Sequence, residues 1–173
     1  MWYAQILGYA FALVVGGIMV KNVVDVMWER LVPGGAKNKQ LRPNARQTQA
    51  LGHVERVLYV ALFQAHSGLL VGLWLAIKMI GKWTRWSECG DEKAQKPSGQ
   101  AIFNIFLLGN ALSILYAFVG FKMVQWVSAG RGARACWAPL VAILLTLALR
   151  CSLACRCKCA QPAAAPPAPP ASA

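Results

Sequence analysis

Glu55, Tyr59 and His66 are the residues of this chain whose types and spacing best suit proton or ion chemistry in an apolar setting. They stand at the threshold of, or within, Val57–Ile77, a run of 21 residues without a formal charge. In a helix turning about 100° per residue, Glu55 and His66 fall within about 20° of one azimuth, and Tyr59 lies near the same stripe. A carboxylate, a phenol and an imidazole on one face could relay a proton, because imidazole titrates near neutrality and polar groups in hydrocarbon are usually functional. The competing reading is structural: His66 hydrogen-bonds a neighbouring helix, and Glu55 pairs with Arg56 or a loop base. The structural reading is preferred, because a path needs polar steps across the whole membrane, whereas beyond His66 the stripe is leucine (Leu70, Leu73). Arg56 and Lys78 bracket the run on another side, as partners of Glu55 in an ion pair or as headgroup contacts.

A second set of polar residues, Asn104, Asn110 and Ser113, lies in FNIFLLGNALS. Asn110 and Ser113 share a helix face with Ala117 and Gly120, which reads as a packing face. Interhelical hydrogen bonds of this kind contribute about 0.6 kcal/mol each and specify pairing more than they stabilise it. Small residues add to this pattern. Gly68-x-x-x-Gly72 lets two backbones approach closely, and Ala12-x-x-x-Gly16 and Gly109-x-x-x-Ser113 are weaker versions. Such faces serve packing within the chain, a homo-oligomer or another membrane protein equally well.

Six cysteines are present, four of them (Cys151, Cys155, Cys157, Cys159) in a C-x3-C-x-C-x-C cluster. Thiolates can bind zinc or copper, but the spacing is not that of paired zinc knuckles and no histidine is near. The expectation is therefore no metal. A bis-histidine haem is not expected either: His53 and His66, the two histidines, lie about 140° apart on one helix. No nucleophile-elbow, phosphate-loop, zinc-protease or dinucleotide motif occurs, and the acids near apolar runs (Asp25, Glu29, Glu55) form no close pair. The chain is not expected to be an enzyme or to carry a cofactor.

The elements that must position these groups are apolar helices. The 173 residues are 57% hydrophobic and 14% charged, with a mean hydropathy of +0.45. Soluble domains carry about 25% charged residues, so the composition is that of a membrane protein. A bilayer core of about 30 Å needs roughly 20 apolar helical residues. Four stretches are candidates: residues 1–20, or 3–28 on a longer reading, then 57–77, 101–121 and 135–149. The last is the shortest and contains Pro139. The fold expected is an all-α integral membrane protein, a four-helix transmembrane bundle forming one domain over residues 1–155. Tryptophans flank the spans as interfacial anchors do, among them Trp2, Trp28, Trp83, Trp126 and Trp137. The second helix is expected to start near residue 45, with Asn44 as its cap and Gln47 three residues on. Residues 156–173 begin with cysteines and end in QPAAAPPAPPASA, a low-complexity tail expected to be disordered.

The net charge of +12 arises from 18 Lys and Arg against 6 Asp and Glu. In a soluble protein this would suggest nucleic acid. Here the bases flank apolar runs, where anionic headgroups attract them, so the bilayer and not nucleic acid is the expected partner. Lys/Arg counts on the two sides are eight and seven. The purely basic first loop (Arg30, Lys37, Lys39, Arg42, Arg46) sets the expected orientation, with that loop cytoplasmic and the N-terminus outside. Residues 1–20 have no basic leader or cleavage pattern and are expected to be a retained span.

Gly52-x-x-Glu55-Arg56, then Gly72 to Ala76-x-Lys78, then Leu108-Gly109-Asn110-x-x-Ser113 resemble the pattern of an uncharacterised family of bacterial inner-membrane proteins. That pattern runs G-x-x-E-R, a-x-K-s-x-x-R-f and I-G-T-x-x-S, and the match covers about residues 50–115. Asn110 departs from the family's Thr, and Gly81-Lys82-Trp83 from its basic-aromatic exit. The resemblance implies a bacterial inner (plasma) membrane location and supplies no activity. The function expected is a structural or interaction subunit packing through small-residue faces; the alternative is a transporter or channel component with Glu55 and His66 in a polar path.

Overall fold

The structure is a computed structural model, and it describes residues 2–31, 45–87 and 99–155. Every regular element among the described residues is helical. Helix α1 (Trp2–Leu31) contains one π turn at Phe11–Val15. It is followed by α2 (Ala45–Gln64), α3 (Gly68–Ser87), α4 (Gly99–Ser128) and α5 (Gly132–Cys155). Two of these, α1 and α4, are long and apolar enough to cross a membrane, with 30 residues each. At 1.5 Å per residue each is about 45 Å long. The apolar parts of α3 (Gly68–Gly81) and α5 (Trp137–Leu153) are shorter.

Helices α1 and α4 run antiparallel and form the backbone of the bundle. Their register follows from Gly8 against Gly120, Gly16 against Tyr116, Val24 against Gly109 and Trp28 against Ile105. The closest approach is at Gly8 and Gly120. A Cβ on Gly8 would stand 2.5 Å from the Gly120 carbonyl oxygen, and one on Gly120 would stand 2.6 Å from that of Gly8. Only residues without a side chain permit this contact, which is how apolar helices pack without a hydrophobic driving force between them. Ala12 and Ala117 continue the seam, packed with Tyr59, Val60 and Val71 from α2 and α3. On the other side Phe11, Tyr116, Val119 and Met123 close on Ala142 of α5.

The uninterrupted helix expected over 57–77 is not formed. The chain breaks at Ala65–Ser67 and folds back as a hairpin of α2 and α3. His66 takes φ 56°, while Ser67 N–H donates to Leu62 O at 2.9 Å and His66 N–H to Phe63 O at 3.1 Å. This pair of bonds is a Schellman cap, with His66 in the left-handed position that glycine usually fills. The Ser67 carbonyl then accepts from Leu70 N–H at 2.9 Å, so the same residue opens α3. One expected span is thus two helices, and of the five helices among the described residues two are long and apolar enough to cross a membrane.

Helix α5 exceeds the expected 135–149 at both ends and keeps Pro139 inside it. Pro139 is the eighth residue of this helix, so it removes an interior i→i−4 donor, a cost of about 3 kcal/mol or more that the packing of α5 must offset. Tyr116 Oη lies 2.8 Å from Thr146 Oγ1, and Thr146 donates to Ala142 O at 2.8 Å, which ties α4 to α5.

Much of the outer surface is apolar. Leu69 is 87% exposed, and Trp2, Ile80, Leu144 and Trp137 are also exposed. That surface and the two long apolar helices are compatible with a membrane location. Trp28, expected as an interfacial anchor, is instead buried with Met27 and Ile105. Lys37, Lys39, Arg42, the Asn44 cap, Cys157, Cys159 and the Pro/Ala tail lie outside the described residues, as do the side chains of Arg46, Trp83 and Cys155.

Candidate functional site

Consecutive positions on a helix point about 100° apart, and α2 uses this to send Glu55 and Arg56 to different neighbours. Glu55 faces α3 and α4. Arg56 faces α1 and α4. The hairpin brings Lys78 back to Glu55, and its ammonium nitrogen lies 2.7 Å from each carboxylate oxygen. The same ammonium donates to Asn110 Oδ1 at 2.7 Å. The ammonium thus donates to Glu55 Oε2 and Asn110 Oδ1, while Glu55 Oε1 is held by ion-pair proximity alone. Asn110 is itself fixed by donating Nδ2–H to Phe106 O at 2.7 Å, and the Phe106 ring centre lies 5.3 Å from the ammonium.

Arg56 does not pair with Glu55. It donates from Nη1 to Ser113 Oγ at 3.3 Å and contacts His53 Nδ1 through Nη2 at 3.2 Å. A guanidinium has donors only, so Nδ1 accepts and the His53 ring proton sits on Nε2. Arg56 Nε is buried without a partner. Glu55 and Arg56 are 4% and 3% exposed, and Asn110 and Ser113 are buried with them.

Glu55 and Arg56 lie far from helix ends. Arg56 touches Gly16 and approaches Gly17, the central pair of the 30-residue α1, and bonds Ser113, next to the centre of the 30-residue α4. The cluster is thus about 20 Å from either end of both helices. Sequence reasoning put Glu55 and Arg56 at a headgroup boundary because the uncharged run begins just after them. The bundle instead aligns that point with the middle of two longer helices.

The remaining candidates are scattered. Tyr59, one turn from Glu55, is fully buried and its hydroxyl has no partner. His66 sits exposed on the hairpin turn, and because α2 ends at Gln64 it shares no helix face with Glu55. Gly109 packs closely on α1, where a Cβ would stand 3.3 Å from Val24 Cγ2. Gly68 and Gly72 face outward, and a Cβ on Gly72 would meet nothing within 4 Å. Cys151 is an exposed free thiol. Among the described residues no group of three or more His, Cys, Asp and Glu side chains could hold a metal.

Sequence reasoning did not find the Lys78–Asn110 contact or the role of His53. One signal was available: Glu55 and Lys78 lie almost equidistant from His66-Ser67-Gly68, so a turn there places them opposite each other. Beside the cluster, an open groove of about 460 Å³ runs between α1 and α2, lined by Leu13, Val14, Gly17, Ile18, Lys21, Gln49 and His53.

No family model, no curated protein and no solved structure matches the chain.

Proposed function

We propose that this is a non-enzymatic, multi-pass membrane protein that acts as an interaction subunit, associating with a second copy or another membrane protein through the outer face of α3. The observation that carries this reading is the difference between its glycines. Gly8, Gly16 and Gly120 are filled against other helices of the same chain, whereas Gly72 of the GxxxG pair has open space before it. Leu69, Leu73 and Ile80 flank Gly72 on that outward face and are exposed. A small-residue stripe framed by leucine and isoleucine suits close helix pairing in lipid. The resemblance of residues 50–115 supports a bacterial inner-membrane setting for this role, and the basic first loop supports an N-terminus outside. The test is proximity labelling or crosslinking from α3 in membranes. Gly72→Ile should abolish the crosslinked species while the protein folds normally; unchanged crosslinking would reject the α3 face.

A second reading has its own observation. Ionisable groups level with the middle of membrane helices are functional by default, and Glu55, Lys78 and Arg56 are so placed if α1 and α4 cross the bilayer. A transporter or channel component would use Glu55 and Tyr59 as polar steps, with His66 at the mouth and not in the path. Loss of proton or ion flux in vesicles on Glu55→Gln, with α3 crosslinks intact, would favour this reading over the first.

A further inference from the structure

Four buried polar atoms lie at the ion pair or between it and the hairpin turn, and none has a hydrogen-bond partner. They are Glu55 Oε1, Tyr59 Oη, Gln64 Nε2 and Trp74 Nε1. The Glu55–Lys78 contact fixes the register of the hairpin. Tyr59, four residues on from Glu55, therefore stands opposite Trp74, four residues back from Lys78, one turn or about 6 Å from the pair. Tyr59 and Trp74 pack in one cluster with Ala12, Val60 and Val71, and Tyr9 joins it. Tyr9 Oη donates to Gln64 Oε1 at 3.5 Å, which puts the Gln64 amide beside the same cluster. Ala12 belongs to the π turn of α1, and π turns inside regular helices are frequent at functional sites.

The chemistry of the four atoms defines what would satisfy them. An indole N–H and an amide N–H donate, a carboxylate oxygen accepts, and a phenol does both. A metal cation does not suit two N–H donors beside the Lys78 ammonium, and an anion does not suit the Glu55 carboxylate. A small neutral molecule that both donates and accepts suits all four. Buried water has this character, and it typically makes about three hydrogen bonds to groups the protein leaves unsatisfied. Trp74 can donate to such a water, which donates in turn to Glu55 Oε1 and bonds Tyr59 Oη. Tyr116 provides the contrast. It is as fully buried as Tyr59, but its hydroxyl lies 2.8 Å from Thr146 Oγ1.

We propose that Glu55, Tyr59 and Trp74 hold bound water inside the bundle, reached from the hairpin end past Gln64 and Tyr9. The water completes the shell of the carboxylate oxygen to which Lys78 does not donate. The proposal rests on the hairpin and the ion pair, and on neither functional reading above. Under the second reading it supplies the polar step between Glu55 and the mouth at the turn.

The test is radiolytic hydroxyl-radical footprinting of the full chain in detergent micelles, read residue by residue by mass spectrometry. Radicals formed from a bound water oxidise the side chains that touch it, however deeply those are buried. Tyr59 should be oxidised several-fold faster than Tyr116. Trp74→Phe removes the indole donor while keeping a ring, and should lower the Tyr59 rate several-fold. Gln64→Leu should lower it as well, by making the way in apolar. Trp28→Phe removes another unpartnered indole, in the separate cluster with Met27 and Ile105, and should leave the rate unchanged. Equal rates at Tyr59 and Tyr116 in the wild type would overturn the proposal without recourse to any variant. An equal loss with Trp28→Phe would overturn it too, and an unchanged rate in Gln64→Leu would overturn access from the hairpin end. Fast oxidation of Tyr59 without ion flux in vesicles would uphold the water site and reject the second functional reading. Flux without such oxidation would do the reverse.

Discussion

Lys78 and Glu55, 23 positions apart and on opposite arms of a hairpin, meet with the ammonium 2.7 Å from each carboxylate oxygen. The ammonium also donates to Asn110 of α4 at 2.7 Å. The contact therefore locks three helices in one register.

Removing one member of this pair leaves the other charge buried. Glu55→Leu or Lys78→Met alone should cost about 3–5 kcal/mol, while the double replacement should restore most of the loss. Denaturant unfolding in detergent micelles, read by tryptophan fluorescence, measures this cycle. Additive losses would show that the two groups do not interact.

Ser113 gives Arg56 one of its two acceptors. Ser113→Ala should cost about 1–3 kcal/mol, because a buried donor is left unsatisfied. Ser113→Thr keeps the acceptor and should recover part of the loss. The same unfolding measurement distinguishes the two variants.

Glycine replacements should divide by location. Gly120→Ala drives a methyl into the backbone of α1 and should destabilise by about 1–3 kcal/mol or more. Gly72→Ala meets no atom within 4 Å and should raise stability by up to about 1 kcal/mol through helix propensity. A destabilised Gly72→Ala would argue against the open face of α3.

The hairpin makes an unusual demand of His66, which holds φ 56° without being glycine. His66→Gly should stabilise the fold by about 1 kcal/mol, and His66→Val should destabilise it by more. In an unbroken 57–77 helix the order would be reversed, since glycine is the worse residue in a helix interior. Comparison of the two variants in one unfolding series decides between the hairpin and the straight helix.

Apolar runs give the positions of α1 and α4, because burying an uncharged stretch in helix needs only the local pattern. The same pattern misreads 57–77: both arms of the hairpin are apolar, so hydropathy is continuous across the turn, and only Ser67-Gly68 marks it. Gly120 reads from sequence as part of a packing face, but its pairing with Gly8 does not, since that close approach depends on the register of two helices more than 100 residues apart.

By itself, the sequence determined an all-helical chain with apolar segments long enough for lipid, since composition and periodicity act within one helix. It also placed Glu55, Arg56, Lys78, Asn110 and Ser113 among the polar residues that matter. The tertiary structure alone decided their partners. Glu55 faces Lys78 because His66 turns the chain back, and Arg56 reaches Ser113 and His53 because α1 offers glycine where a side chain would block it. Charge pairing depends on distances between helices, and those distances are set by where the chain bends and which residues lack a Cβ.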